Sequence, residues 1–250
     1  MFKIIMKMKI DLDKMEDRAV KFLDDGKLGC AERALKQMLK NRPNCLPAHF
    51  HLARVYRKKN DFNSALYHAR RTIRLNPFER NAYLNLGLIY DLMGRDKLAA
   101  LNYKKELSSN PDSAETLWNI GRLCFRRHRW LAASKYLQHC FDIGFLYEVE
   151  ETVDRLGECY YRLNDLRAYI RLFQTYVQMF PKASWAFANL GRAFLQAKDY
   201  KAALLNLSIA KRLGKKNIDI PFEVARKKYE YKQLKVVSPR SSGQELGGCM

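Results

Sequence analysis

The 250-residue chain carries 46 lysines and arginines against 26 aspartates and glutamates, a formal net charge of +20. That balance invites an acidic or nucleic-acid partner but says nothing about fold. The six cysteines (Cys30, Cys45, Cys124, Cys140, Cys159 and Cys249) contain no CxxC pair, and no phosphate-binding loop, dinucleotide fingerprint, nucleophile elbow or helical HExxH is present. The sequence therefore points to no catalytic centre, no cofactor and no metal site.

In chain order, the opening MFKIIMKMKI is apolar over too short a stretch to span a membrane, and no cleavage site follows it. Residues 1–11 are expected to be a frayed basic leader or the product of an upstream alternative start; the alternative is a weak basic surface anchor made by Lys3, Lys7 and Lys9. Lys27-Leu28-Gly29-Cys30 faintly resembles a lipoprotein processing site, but charged residues fill the stretch where a hydrophobic signal core is needed. Cysteines at repeat core positions fit buried thiols in a reducing, cytoplasmic setting.

From there the small residues keep time. Ala19, Ala53, Gly87 and Gly121 fall 34 apart; Ala31, Ala65, Ala99 and Ala133 keep the same interval, as do Pro43, Pro77 and Pro111. A period of that length marks a helical repeat array, in which each unit buries its apolar stripe only by stacking on neighbours. The unit from Arg80 to Ser113 shows the pattern best. Tyr83, Leu86, Gly87 and Tyr90 recur at helical spacing, Gly94 breaks the helix, and a second helix is expected from about Lys97 to Ser109. Leu98, Ala99, Leu101 and Tyr103 are its expected apolar side, and Asn110-Pro111 ends it. Gly87 and Ala99 lack bulk where the two helices must cross.

These residues resemble the tetratricopeptide repeat family. The resemblance implies an all-α, right-handed α-solenoid of about six helix-turn-helix repeats with a C-terminal capping helix. The repeats are 12–45, 46–79, 80–113, 114–147, 150–183 and 184–217; residues 218–236 are the cap and 237–250 a disordered tail. The interval slips by two between Gly121 and Gly157, where Gly144 reads as a helix C-cap before a longer connection.

In this family the first helix of each repeat lines a concave groove through positions 2, 5, 6, 9, 12 and 13. Asn85, Asn119 and Asn189 share position 6, as a ladder gripping a peptide backbone or as a polar face turned to water. Arg54, Arg57, Trp118, Arg122, Phe125, Arg126, Tyr161, Trp185 and Arg192 supply aromatic and cationic anchors. Glu16 and Val20 stand where chaperone-binding relatives carry a carboxylate clamp, which argues against that role. Groove charges sum to about −1, so the basicity lies on outer positions such as Arg70, Arg71, Arg74, Arg127 and Arg129 and toward the C-terminus.

The resemblance thus implies a non-enzymatic scaffold or adaptor working within a multiprotein complex. Its partner would be an extended peptide or amphipathic helix with apolar anchors and some acidic residues, not a small-molecule substrate. The alternative is a basic adaptor docking on nucleic acid or an anionic membrane surface through its outer face and C-terminus.

Overall fold

A glycine or alanine in the first helix of each repeat decides how closely the second helix approaches. In the computed structural model, whose described backbone covers residues 2–144 and 148–237, those residues form thirteen α-helices and no strand. Side chains are described over 13–144 and 148–232. The tail after Val237, with Cys249, and Phe145 lie outside the described residues, as does the side chain of Leu234. The chain divides into two compact units, Met1–Thr152 and Val153–Met250.

The first unit holds α1 (Phe2–Asp24), α2 (Leu28–Asn41), α3 (Leu46–Lys58), α4 (Phe62–Leu75), α5 (Ala82–Leu92), α6 (Asp96–Ser109), α7 (Ala114–Arg126) and α8 (Trp130–Asp142). Each odd helix packs on the even helix after it, and α3 also touches α5, and α5 touches α7. Residues 2–11 continue into α1 as helix. The helix α9 (Val149–Arg162) bridges the division, and α10 (Leu166–Met179), α11 (Ser184–Gln196), α12 (Tyr200–Arg212) and α13 (Asp219–Val237) follow. In the second unit α11 packs on α10 and α12, and α13 packs on α12 and α11. Ala225 is fully buried there, with Phe222 packed on the cluster of Ala203 and Leu207.

The crossing obeys a size rule between repeat positions 8 and 24. A Cβ added at Gly87 would sit 2.5 Å from the Tyr103 ring, at Gly121 2.7 Å from Leu137, at Gly157 2.9 Å from Phe173, and at Gly191 2.6 Å from Leu207. Real Cβ atoms do not approach that closely, so at these four crossings a side chain at position 8 would force its neighbour to shift. Where position 8 is Ala53, position 24 shrinks to Ala69, whereas in repeat one Ala19 and Leu35 occupy the two positions; all four are buried.

The turn inside each repeat is equally regular. Gly26, Asn60, Gly94, His128, Asn164 and Lys198 all take positive φ, between 55° and 73°. Asp61, Asp165 and Asp199 follow three of them and accept the N–H of Ser64, Ala168 and Ala202, capping α4, α10 and α12.

One expectation is corrected. Leu98 and Leu101 are 37% and 51% exposed; the buried stripe of α6 is Ala99, Asn102, Tyr103 and Glu106. The polar members are satisfied inside: Asn102 donates to the Leu98 carbonyl at 2.7 Å. The Glu106 carboxylate accepts the N–H of Asn81 at 3.0 Å and of Leu84 at 3.3 Å. It thereby serves as the N-terminal cap that α5 lacks locally, the Asn81 side chain making no capping bond.

Candidate functional site

In the first unit the position-6 residues of repeats two to four are buried, while Asp17 of repeat one is exposed. His51, Asn85 and Asn119 are 8%, 6% and 3% exposed. The two asparagines differ in what they touch. Asn119 donates to the Glu115 carbonyl of its own helix at 2.7 Å and accepts from Arg122 at 3.3 Å. The Asn85 Nδ2 is buried with no hydrogen-bond partner.

Around Asn85 the charged groups converge on Asp91, a buried carboxylate of α5. Arg122 reaches it at 2.9 Å and Arg126 at 2.5 Å, and Arg126 also meets Asp96 at 3.2 Å, which pairs in turn with Arg127. The Arg122 guanidinium lies over the Trp118 ring, 5.0 Å from its centre. Burial, then Asp91, pushes the Tyr103 phenol up, against the pull of Arg122, Arg57 and Arg126. Burial lowers the Arg57 guanidinium; Glu115 opposes and Arg54 reinforces. Phe125 packs edge-on against Trp130 at 5.3 Å.

Six buried side-chain polar atoms lack a hydrogen-bond partner among the described residues: Arg57 Nε, Asn85 Nδ2, Tyr103 Oη, Trp118 Nε1, Arg122 Nε and Thr152 Oγ1. The first five belong to α3, α5, α6 and α7 and all can donate; none is a pure acceptor. Leaving a donor buried and unmet costs about 1–3 kcal/mol, so such a concentration of them is unusual.

Toward α1 the character changes. His51 meets Glu16 at 3.4 Å and Arg54 at 3.4 Å. Burial first, then Arg54, lowers His51 to about 4, against Asp24, so it is neutral at pH 7. Burial, with Asp13, Asp17 and Glu79 adding, raises Glu16. His49 points elsewhere: its Nδ1 lies 2.8 Å from His68 Nδ1 and its Nε2 meets the Pro43 carbonyl at 3.0 Å. Burial lowers His68 to about 4, with His49 and Lys36 adding. No cluster of three or more potential metal ligands occurs among the described residues.

In the second unit Tyr161 is 62% exposed and Arg192 is exposed. Asn189 is half-buried. Trp185 packs between helices, its ring 5.7 Å from Phe173 and 5.2 Å from Tyr176. The expected anchors thus form two sets. The structure gathers Arg54, Arg57, Asn85, Trp118, Asn119, Arg122, Phe125 and Arg126 in the first unit and Tyr161, Trp185, Asn189 and Arg192 in the second.

Comparison with known proteins agrees with this architecture. The tetratricopeptide repeat model matches residues 17–79, 50–114 and 155–217, more than half of the chain. The protein belongs to the tetratricopeptide repeat family. The type IV pilus assembly protein PilF of Pseudomonas aeruginosa is 24% identical over 211 residues, which is 83% of this chain and 70% of that one. The crystal structure of YrrB, a repeat protein with an unusual peptide-binding site, aligns with a TM-score of 0.60 at 18% identity. It covers 78% of this chain and 98% of that chain. A solved structure of P. aeruginosa PilF aligns at 0.51 with 17% identity, over 79% and 95% of the two chains.

Within this tetratricopeptide repeat chain, sequence reasoning missed Asp91, Asp96 and Tyr103 as site residues. Asp91 held a signal, since it occupies position 12 of its repeat, a groove position. Tyr103 held none: it sits on the second helix, and its ring lies so close to α5 that a Cβ at residue 87 would meet it at 2.5 Å. The free cysteines include Cys140, buried, with its thiol pushed up to about 12 by desolvation and so a poor nucleophile at pH 7.

Proposed function

We propose that this protein is a non-enzymatic scaffold that takes an acceptor-rich segment of a partner polypeptide on α3, α5 and α7. The observation that carries the reading is the concentration of unmet donors there, on Arg57, Asn85, Trp118 and Arg122, with Tyr103 of α6 beneath them. A partner carboxylate or main-chain carbonyl brings what these groups lack, and Trp118 and Phe125 give it apolar surface. An extended peptide or an amphipathic helix with acidic residues fits that demand. The likeness to PilF, a pilus assembly protein, supports a role inside a multiprotein complex. No described helix is long and apolar enough to cross a membrane, and the buried free thiols support a reducing, cytoplasmic site of action.

The test is selection of random peptides on the full-length chain, followed by calorimetric titration of the enriched sequences. Enrichment of Asp or Glu is expected, with affinity lost in Trp118→Ala and Arg57→Ala. Enrichment of purely apolar or basic peptides, or affinity untouched by both substitutions, overturns the reading.

A further inference from the structure

The outer surface of α4 carries a second site, built from different residues and independent of the groove. Over its fourteen residues α4 has three arginines, Arg70, Arg71 and Arg74, and no acidic residue. Two of them are held in place by neutral acceptors. Arg70 donates to the Tyr90 hydroxyl at 3.0 Å and Arg71 to the Asn44 side-chain oxygen at 2.5 Å. Such bonds fix a guanidinium without compensating its charge. Among the described residues none of the three pairs with a carboxylate, whereas Arg122, Arg126 and Arg127 all do.

Tyr67 stands on the same face, one turn before Arg70 and Arg71, and is 63% exposed. Its ring is braced edge-on by His68 at 5.0 Å and His49 at 6.4 Å. The aromatic surface is therefore held from beneath, and much of it is left open. Together Asn63, Leu66, Tyr67, Arg70, Arg71 and Arg74 line a shallow hollow of about 250 Å³.

We infer that this hollow binds single-stranded nucleic acid, with the three arginines on successive phosphates and Tyr67 as the platform for an unstacked base. The chemistry selects this ligand on three counts. Guanidinium groups match phosphate oxygens in planar, bidentate fashion, which lysine does not. An exposed, braced ring beside cations is what base stacking requires. The patch is a hollow with one exposed aromatic, whereas an anionic bilayer is a plane that rewards a broad basic face with insertable aliphatics.

The test is fluorescence anisotropy of a fluorescein-labelled 15-nucleotide oligothymidylate titrated with the full-length chain at several salt concentrations. Three phosphate contacts give a log–log salt slope of about −2. Arg74 is exposed and makes no hydrogen bond or ion pair among the described residues, so Arg74→Glu should leave the fold intact. It should weaken binding at least about fivefold and flatten the slope by about 0.7, one contact's share. Tyr67→Ala should weaken binding by about fivefold or more with the slope unchanged. Trp118→Ala in the groove and Lys227→Glu on α13 should leave affinity as it was. Affinity undiminished from the unsubstituted chain in both Arg74→Glu and Tyr67→Ala, or an equal loss from Lys227→Glu, overturns the site. So does preference for a duplex of the same length, or binding to phosphatidylserine vesicles without binding to the oligonucleotide.

Discussion

The two units are built by one packing rule and furnished by different chemistry. In the first, Gly87 faces Tyr103 and Gly121 faces Leu137; in the second, Gly157 faces Phe173 and Gly191 faces Leu207. Yet all six unmet buried polar atoms belong to residues of the first unit. There Trp118 carries an arginine on its face and an unbonded N–H, while in the second unit Trp185 is spent on packing against Phe173 and Tyr176. The first unit buries the Asp91 carboxylate under two arginines; the second unit's Glu158–Arg162 pair is an exposed i,i+4 contact at 2.6 Å. The comparison teaches that the period specifies the crossing and leaves the groove positions free to specialise.

The shared rule is broken hardest by bulk at position 8. Gly87→Leu and Gly191→Leu both drive a side chain into a fully buried neighbour that has nowhere to go. Each should lose at least about 1–3 kcal/mol, at or beyond the upper end of that range, read as a fall in melting temperature. A loss confined to one unit would refute a common crossing.

Acid should separate the units next. The five histidines lie at 49, 51, 68, 128 and 139, so residues 153–250 have none. His51 and His68 are lowered from 6.5 to about 4 by burial. A base lowered on folding takes up its proton more readily when unfolded. Its contribution is therefore complete above pH 6.5 and is lost as pH falls toward 4. For His51 that gap corresponds to roughly 3 kcal/mol at the acid end. Glu16, raised by burial, works in the opposite sense as a single group. Glu32 is lowered to about 2 by Lys36, Lys59 and Tyr56, so its contribution is lost only below 4.5. Melting at pH 7 and pH 4.5 should show the drop, and His51→Gln with His68→Gln should flatten it. A drop of equal size in the doubly substituted chain would assign it elsewhere.

How much of this was legible follows from what each feature depends on. The helix spacing, the close crossings at Gly87 and Gly121 and the Gly94 turn are properties of single positions repeated at 34, and a sequence displays them. The second helix of repeat three was misread at Leu98 and Leu101 because an apolar stripe was sought where Asn102 and Glu106 serve as core. Glu106 is acceptable inside only because Asn81 and Leu84 supply N–H groups from another helix. The asparagines were legible as a row, but not the difference between Asn119, bonded to its own helix, and Asn85, left unmet. That difference belongs to three adjoining helices, α3, α5 and α7, and to no single segment.

A smaller effect is expected from the ion pairs. Asp91→Ala strips Arg122 and Arg126 of a buried partner, but both guanidinium groups keep partial access to water, with side chains 31% and 46% exposed. The cost should be about 1–3 kcal/mol, below that of a fully buried pair. Glu158→Ala, breaking the exposed pair of the second unit, should cost no more than about 0.5 kcal/mol. Comparable losses at the two sites, in denaturant unfolding of the single variants, would erase the contrast between the units.

The finest discrimination lies among the asparagines. Asn85→Ala removes an amide whose Nδ2 is buried without a partner and installs the best helix former. The fold should gain about 0.5–1 kcal/mol. Asn119→Ala gives up two hydrogen bonds, to Glu115 and from Arg122, worth about 1 kcal/mol each, so it should be neutral to destabilising. Asn189→Ala, at a half-buried position of the second unit, should change stability least. Binding should run the other way. If Asn85 donates to a partner's carbonyl or carboxylate, Asn85→Ala should weaken a selected acidic peptide by at least about 1 kcal/mol, roughly fivefold, while Asn189→Ala leaves it unchanged. A stabilised Asn85→Ala chain that binds such a peptide undiminished would show that the buried amide is a packing fault and not a donor held ready, and the groove's demand for acceptors would rest on its arginines and Trp118 alone.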